Sequence, residues 1–204
     1  HLSENHGEID WVAALHPEAA NYTDVYYEHH LIGKVPTVMA HCIHLSDVEM
    51  DRMAETQTMV AHCPYSNVNL SSGIAPIRKL FERKIPIGLG SDISGGHIVS
   101  MAKVLTEAIG LSKMKWVEVD QTYVPLTLSE AFYMATKGGG KFFGKVGSFE
   151  KGCELDALVI DDTTLFDPNE RSLEERLERW LYVGDDRHII ERYVAGKVAP
   201  EPTN

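Results

Sequence analysis

Gly88-Leu89-Gly90-Ser91-Asp92 brings an apolar run to an end at a carboxylate, and two other stretches of the chain have the same character. They are Met39-Ala40-His41-Cys42 and the opening His1-Leu2-Ser3-Glu4. In each, a residue able to bind a metal or transfer a proton lies at a predicted strand end. A parallel β/α barrel carries its site on the carboxyl ends of its strands. The three stretches therefore predict an α/β fold with a metal-dependent hydrolytic site.

The composition narrows the class of protein. The 204 residues are 44% hydrophobic with a formal net charge of −11, which allows a core and disfavours nucleic acid or an anionic membrane as a partner. The three cysteines lie far apart and form no CxxC pair, so we expect a reduced, cytoplasmic protein. The chain begins with His and shows no signal-peptide pattern, and we expect an N-terminal part to be missing.

Predicted strands and helices alternate along the chain, as is typical of parallel β/α units. Apolar, β-rich runs predict strands at 35–40, 58–61 and 85–90. Amphipathic segments and capping residues predict helices at 8–15, 24–30, 46–56, 76–83, 100–112 and 127–137. A polar loop is expected at 67–72. Beyond a boundary placed near residue 145, we expect a strand within 147–160, a helix at 172–181 and a last strand at 191–198.

The strand-end residues suggest an ion and its proton-transfer partners. His1, His41 and Asp92 offer two imidazoles and a carboxylate, which suit a catalytic zinc or iron with one position open for water. Such an ion lowers the pKa of a bound water to about 7. Glu4 is expected to shuttle protons beside the ion, and Asp92 to accept the proton of the attacking water.

Each of these residues also has an ordinary structural interpretation. A single histidine at a strand end is more often a hydrogen-bonded core or loop residue, and Asp92 is equally typical of a turn. His62 follows the middle predicted strand and is a candidate substrate contact. Its neighbour Cys63 is expected to be a small buried apolar residue, and Ser66 and Asn67 to cap or turn a loop. Joint placement at successive strand ends is what favours chemistry.

Four stretches of the sequence resemble the amidohydrolase superfamily. They are His-Leu-Ser-Glu at 1–4, Met-Ala-His-Cys at 39–42, Ala-His-Cys-Pro-Tyr-Ser-Asn at 61–67 and Gly-Leu-Gly-Ser-Asp-Ile-Ser-Gly-Gly at 88–96. The first, second and fourth are similar to motifs of many amidohydrolases. The Ser-Asp-Ile-Ser-Gly-Gly continuation, with Leu-Tyr-Val-Gly-Asp-Asp-Arg at 181–187, is more similar to the guanine deaminase family.

The resemblance implies a fold and a reaction. Residues 1–145 would form strands 5–8, the C-terminal half of a (β/α)8 TIM-type barrel. Residues 146–204 would form the C-terminal part of a composite β-sandwich with one helix. The full-length protein would be a cytoplasmic homodimer that hydrolyses a small purine, guanine, to xanthine and ammonia.

The resemblance also assigns the site. One zinc, or alternatively iron, would be bound by His1, His41 and Asp92, from the fifth, sixth and eighth strands, with Glu4 as the proton shuttle. The family's first strand carries a His-x-His pair that completes the metal site, and no His-x-His occurs in this sequence. The site is therefore expected to be incomplete in this chain.

Other functions stay open at this stage. The same metal residues would serve a deaminase or chlorohydrolase of another heterocycle, such as cytosine, a thioadenosine or a triazine. A non-catalytic scaffold related to these enzymes is a further alternative. The compact cytidine-type deaminases are disfavoured, because their Pro-Cys-x-x-Cys signature is missing.

We predict that the 204-residue polypeptide by itself neither binds zinc tightly nor converts guanine, because it supplies only part of the expected ligand set. Zinc binding is measured by the zinc content of the purified polypeptide, and catalysis by its formation of xanthine from guanine. Turnover of guanine by the polypeptide with one tightly bound zinc would contradict the prediction.

Overall fold

A parallel three-stranded sheet forms the centre of the protein, as seen in a computed structural model that describes residues 1–200. Its strands are β1 (Val38–Ala40), β2 (Met59–His62) and β3 (Ile87–Leu89), in the order β1-β2-β3. Ala40 pairs with Ala61, and His62 pairs with Leu89. The pairing aligns the carboxyl ends of the strands along one edge of the sheet.

Eight α-helices lie among the described residues, and none of them has both the length and the apolar composition needed to cross a bilayer. They are α1 (His6–Leu15), α2 (Tyr22–Glu28), α3 (Asp47–Thr56), α4 (Pro64–Asn69), α5 (Ile77–Glu82), α6 (Met101–Glu118), α7 (Leu128–Tyr133) and α8 (Leu173–Val183). The capping boxes predicted at Ser46 and Thr127 are confirmed: each side chain accepts from the backbone of a glutamate three residues on. Helices α3, α4 and α5 connect successive parallel strands, and the predicted α/β class is therefore confirmed.

Three predicted elements differ in the structure. The loop expected at 67–72 is wrong in its first part, because α4 begins at Pro64, where proline's fixed φ suits the first helical turn. Helix α6 continues six residues past the predicted end at residue 112, to Glu118. The helix predicted to run to residue 137 ends at Tyr133 and continues as a π-helical segment, Met134–Gly138.

An antiparallel sheet follows, made of β4 (Ala157–Ile160), β5 (Ile189–Val194) and β6 (Lys197–Val198). The single strand predicted at 191–198 is wrong: β5 and β6 form a hairpin. Its turn is Ala195-Gly196, with positive φ at both positions, which matches the handedness that two-residue hairpin turns require. The last four residues of the predicted domain 146–204 lie outside the described residues.

One continuous core joins the parallel sheet to the surrounding helices. Leu2, Leu80, Met134 and Leu181 are all buried in it, so α8 packs into the same core as the strands. Gly88 in β3 lies against the π-helical segment and Gly139: a Cβ added there would approach the Gly139 Cα at 2.9 Å. A side chain at Gly88 would push these layers apart.

An ion pair between Arg78 and Glu130 joins α5 to α7. Arg78 donates from Nη1 and Nη2 to the two carboxylate oxygens of Glu130, at 2.6 and 3.0 Å. The Arg78 guanidinium also donates to the carbonyls of Val124 and Pro125. The hydrogen bonds from Arg78 are the main reason that the pKa of Glu130 is lowered from 4.5 to about 2.

We predict that Glu130→Gln lowers the free energy of unfolding by about 1–2 kcal/mol at pH 7. The folded-state pKa of Glu130 lies below its unfolded value, so this stability is present above pH 4.5 and is lost as the pH falls toward about 2. The difference between wild type and variant should therefore narrow between pH 6 and pH 3 in urea unfolding. A difference that stays constant over that range would contradict this assignment.

Candidate functional site

Four of the predicted residues converge at the carboxyl edge of the parallel sheet. Ligand-capable atoms of His1, Glu4 and His41 all lie within 4.8 Å of one another. Glu4 Oε2 lies 3.7 Å and Asp92 Oδ2 lies 3.9 Å from Nε2 of His41. His1, His41 and Asp92 lie far apart in the sequence, at the ends of different strands. The fold, and not local sequence, therefore brings them together.

His1 and Glu4 are held in place by pairing of the chain start with β1. Leu2 forms a parallel bridge with His41, since Leu2 N donates to Ala40 O and Cys42 N donates to Leu2 O. Leu2 is fully buried. The start of the chain therefore lies beside β1 and is joined to the parallel sheet by this one bridge.

The backbone is strained where the chain leaves the sheet at the site. Ser3, His41 and Asp92 have φ values of 48°, 72° and 46°, in the left-handed region. Non-glycine residues rarely adopt this conformation, and it costs of order 1–3 kcal/mol where it is imposed. Strain of this kind occurs at functional sites, and of nine non-glycine residues with positive φ in the described part of the chain, four lie here: Ser3, His41, Cys42 and Asp92.

The loop after β3 folds closely around Asp92. Gly96 N donates to Asp92 O at 2.6 Å, which closes the loop. A Cβ on Gly95 would lie 2.8 Å from both Asp92 Oδ2 and Ser66 Oγ, and one on Gly96 would overlap the Ser91 carbonyl. Both positions therefore require glycine for close approach.

The Glu4 carboxylate is oriented by a serine distant in sequence. Ser72 Oγ donates to Glu4 Oε1 at 2.8 Å, and Glu4 itself is 8% exposed. The backbone N–H of Glu4 donates to Oε2 of Glu8, and the Tyr22 hydroxyl donates to Oε1 of the same Glu8 carboxylate. One oxygen of Glu4 is thus held by Ser72 while the other faces His41.

Neighbouring groups at the same edge are neutral. His62 ends β2 and is buried, and burial, together with its proximity to His41, lowers the pKa of His62 to about 4. Burial raises the pKa of the Cys63 thiol to about 12 and that of the Cys42 thiol further. Neither thiol is a nucleophile at neutral pH, as the sequence predicted for Cys63.

Buried polar atoms without a hydrogen-bond partner concentrate at this site. Among residues 1–200 there are six such side-chain atoms, and five of them belong to the strand ends and the adjoining α4. They are Ser3 Oγ, His41 Nε2, His62 Nδ1, Ser66 Oγ and Asn67 Nδ2. Buried polar groups are nearly always paired in folded proteins, so this concentration indicates a place built to contact a ligand.

The donor set fits a divalent ion. His41 Nε2 is buried and unpartnered, and it faces oxygens at 3.7 and 3.9 Å, too far for hydrogen bonds. Ligand atoms about 2.1 Å from a tetrahedral ion lie roughly 3.4 Å apart, close to these separations. Imidazole and carboxylate are ligands shared by zinc and iron.

Two residues of this site were not identified from the sequence as part of it. Asn67, expected to cap or turn a loop, pairs its Oδ1 with His41 Nδ1 at 3.0 Å. Ser72 holds Glu4 across 68 positions of sequence. Neither has a local spacing signal, and only the assembled fold reveals them.

Comparison with known proteins identifies the family of this chain. A family model described as the amidohydrolase family matches residues 1–199. The chain is 40% identical over 203 residues to the guanine deaminase of Dictyostelium discoideum, covering 96% of this chain and 45% of that protein. Identity to the Escherichia coli guanine deaminase is 38% over 209 residues, covering 98% and 46%. The chain spans about half the length of the curated relatives it matches.

Solved structures give the same result. The guanine deaminase from C. acetobutylicum with guanine bound in its active site superposes with a TM-score of 0.93 at 52% identity, covering 97% of this chain and 47% of that one. An adenosine deaminase from Xanthomonas campestris with bound zinc gives a TM-score of 0.80 at 24% identity, covering 97% and 44%, a likeness of fold alone. Amidohydrolases are generally metal-dependent. With a family model matching nearly its whole length and a metal-compatible site at its strand ends, the chain belongs to the amidohydrolase family.

Proposed function

We propose that this chain carries catalytic residues of a guanine deaminase, which hydrolyses guanine to xanthine and ammonia. The observation that carries the proposal is the convergence of His1, Glu4, His41 and Asp92, with both carboxylates near His41 Nε2. The 52% identity to an enzyme solved with guanine bound supports this substrate. The match to a triazine hydrolase variant is at 20% identity and bears on the fold alone.

The proposal includes an architecture. Residues 1–145 would supply strands 5–8 of a (β/α)8 barrel, with residues 1–3 and β1, β2 and β3 as these strands. The parallel bridge from Leu2 to His41 and the parallel order β1-β2-β3 support it. The antiparallel sheet within residues 146–204 would be part of a β-sandwich.

His1, His41 and Asp92 would bind the ion, proposed to be zinc, which when bound supplies the Lewis acidity that makes water a nucleophile at neutral pH. Asp92 accepts one proton from the attacking water, and Glu4 gives a proton to the ring nitrogen beside the carbon under attack. The bond to the amino group then breaks, and Asp92 protonates the departing amine. The hydroxyl proton left on the ring returns to Glu4, so guanine and water become xanthine and ammonia.

Other parts of the proposal rest on single observations. His62 is proposed to contact the substrate, supported by its buried, unpartnered Nδ1 at the same sheet edge. A reducing compartment, the cytoplasm, is supported by the three unpaired thiols at Cys42, Cys63 and Cys153. The homodimer stays a prediction.

Glu4→Gln, in the protein expressed from its complete coding sequence, should lower kcat for xanthine formation by about 10²–10⁴-fold. The amide keeps the acceptor for Ser72 but cannot carry the proton. Glu118→Gln, an exposed carboxylate on α6, is the matched control and should retain activity. Activity of Glu4→Gln within a few-fold of wild type would remove Glu4 from the mechanism.

His41→Asn should lower zinc affinity by more than about 100-fold and abolish turnover. His30→Asn is a close control, because His30 is exposed and also has a positive φ, 60° against 72° at His41, and asparagine tolerates this conformation. Metal content by elemental analysis and activity before and after chelation measure the effect. Full zinc content in His41→Asn would contradict the ligand assignment.

A further inference from the structure

Asn67 is a buried amide with one specific contact. It is 0% exposed and lies on α4, the helix that begins directly after β2. Its Oδ1 lies 3.0 Å from Nδ1 of His41, a residue 26 positions away. The opposite ring nitrogen, His41 Nε2, faces the carboxylates of Glu4 and Asp92. The amide therefore contacts the imidazole from the side away from the converging residues.

The contact selects one tautomer of the ring. An amide oxygen only accepts, so with Oδ1 facing the ring, the hydrogen of a neutral His41 lies on Nδ1 and the lone pair lies on Nε2. The reverse amide orientation would place the hydrogen on Nε2. A histidine that binds a metal through one nitrogen almost always donates its other N–H to an acceptor. The oxygen-facing orientation is the one that leaves Nε2 able to bind an ion.

A neutral acceptor suits the charge of this site better than a carboxylate. Glu4 and Asp92 already face His41, and a third buried carboxylate would add repulsion and desolvation cost. The backbone of Asn67 also anchors the loop that holds Glu4. Its carbonyl accepts from Ser72 N at 2.8 Å, and Ser72 Oγ donates to Glu4.

We propose that Asn67 is a positioning residue that holds His41 as the Nδ1–H tautomer, with Nε2 directed at the ion site between Glu4 and Asp92. The inference rests on the proposed function for the presence of the ion, while the tautomer is a property of the metal-free protein. In this role Asn67 acts through His41 and through the loop that carries Ser72.

The test uses the protein expressed from its complete coding sequence, with ¹⁵N-labelled histidine and without metal. His41 is assigned by the signal that His41→Asn lacks. Wild type should show a protonated Nδ1 and an unprotonated Nε2. Asn67→Leu, similar in size but without an acceptor, should lose this preference and bind zinc 10–100-fold more weakly in chelator competition. Asn67→Asp restores an acceptor and should recover the Nδ1–H tautomer.

Asn169→Leu makes the same chemical change at an exposed position far along the chain and should alter neither readout. A protonated Nε2 in wild type overturns the proposal, even if Asn67→Leu fails to fold. An unchanged tautomer and zinc affinity in folded Asn67→Leu also overturns it. If the protein shows the Nδ1–H tautomer but does not deaminate guanine, the proposed function fails while the role of Asn67 stands.

Discussion

Parallel hydrogen bonding between neighbouring strands is the constraint on which the site depends. The bridge of Leu2 to His41 and the pairings of Ala40 with Ala61 and His62 with Leu89 fix where each strand ends. Because side chains alternate along a strand, a slip of one residue would turn His41 to the other face. The site is therefore set by backbone register first, and the side chains only complete it.

Ionisable side chains lie close together at this largely buried edge of the sheet. Two carboxylates face one imidazole whose ring is 1% exposed, an arrangement that costs desolvation energy unless a cation or hydrogen bonds offset it. Ser72 offsets part of this cost at Glu4, and Asp92, whose side chain is 31% exposed, keeps contact with water. His41 Nε2 has no hydrogen bond to offset its burial, and a bound cation would supply a partner for it.

Local patterns in the sequence predicted local structure well. The capping boxes at Ser46 and Thr127 and the apolar runs of β2 and β3 depend on neighbours within a few residues, and they were found. The strand-end residues could be grouped from the sequence because the carboxyl ends of parallel strands share one edge of a sheet. The pairs His41–Asn67 and Glu4–Ser72 were not found, because they span 26 and 68 positions and no spacing rule links them. The β5–β6 hairpin was missed because its turn carries Ala195 where asparagine or glycine is usual.

The strained residues give an independent reason to assign chemistry to this edge. At φ of 72° and 46°, glycine or asparagine would serve the turns at His41 and Asp92 with less strain. The chain instead has an imidazole and a carboxylate there, directed at each other across 3.9 Å. A fold selected for stability alone gains nothing from this choice. The pairing of the strands that precede His41 and Asp92 holds both residues in this conformation, with their side chains close to each other.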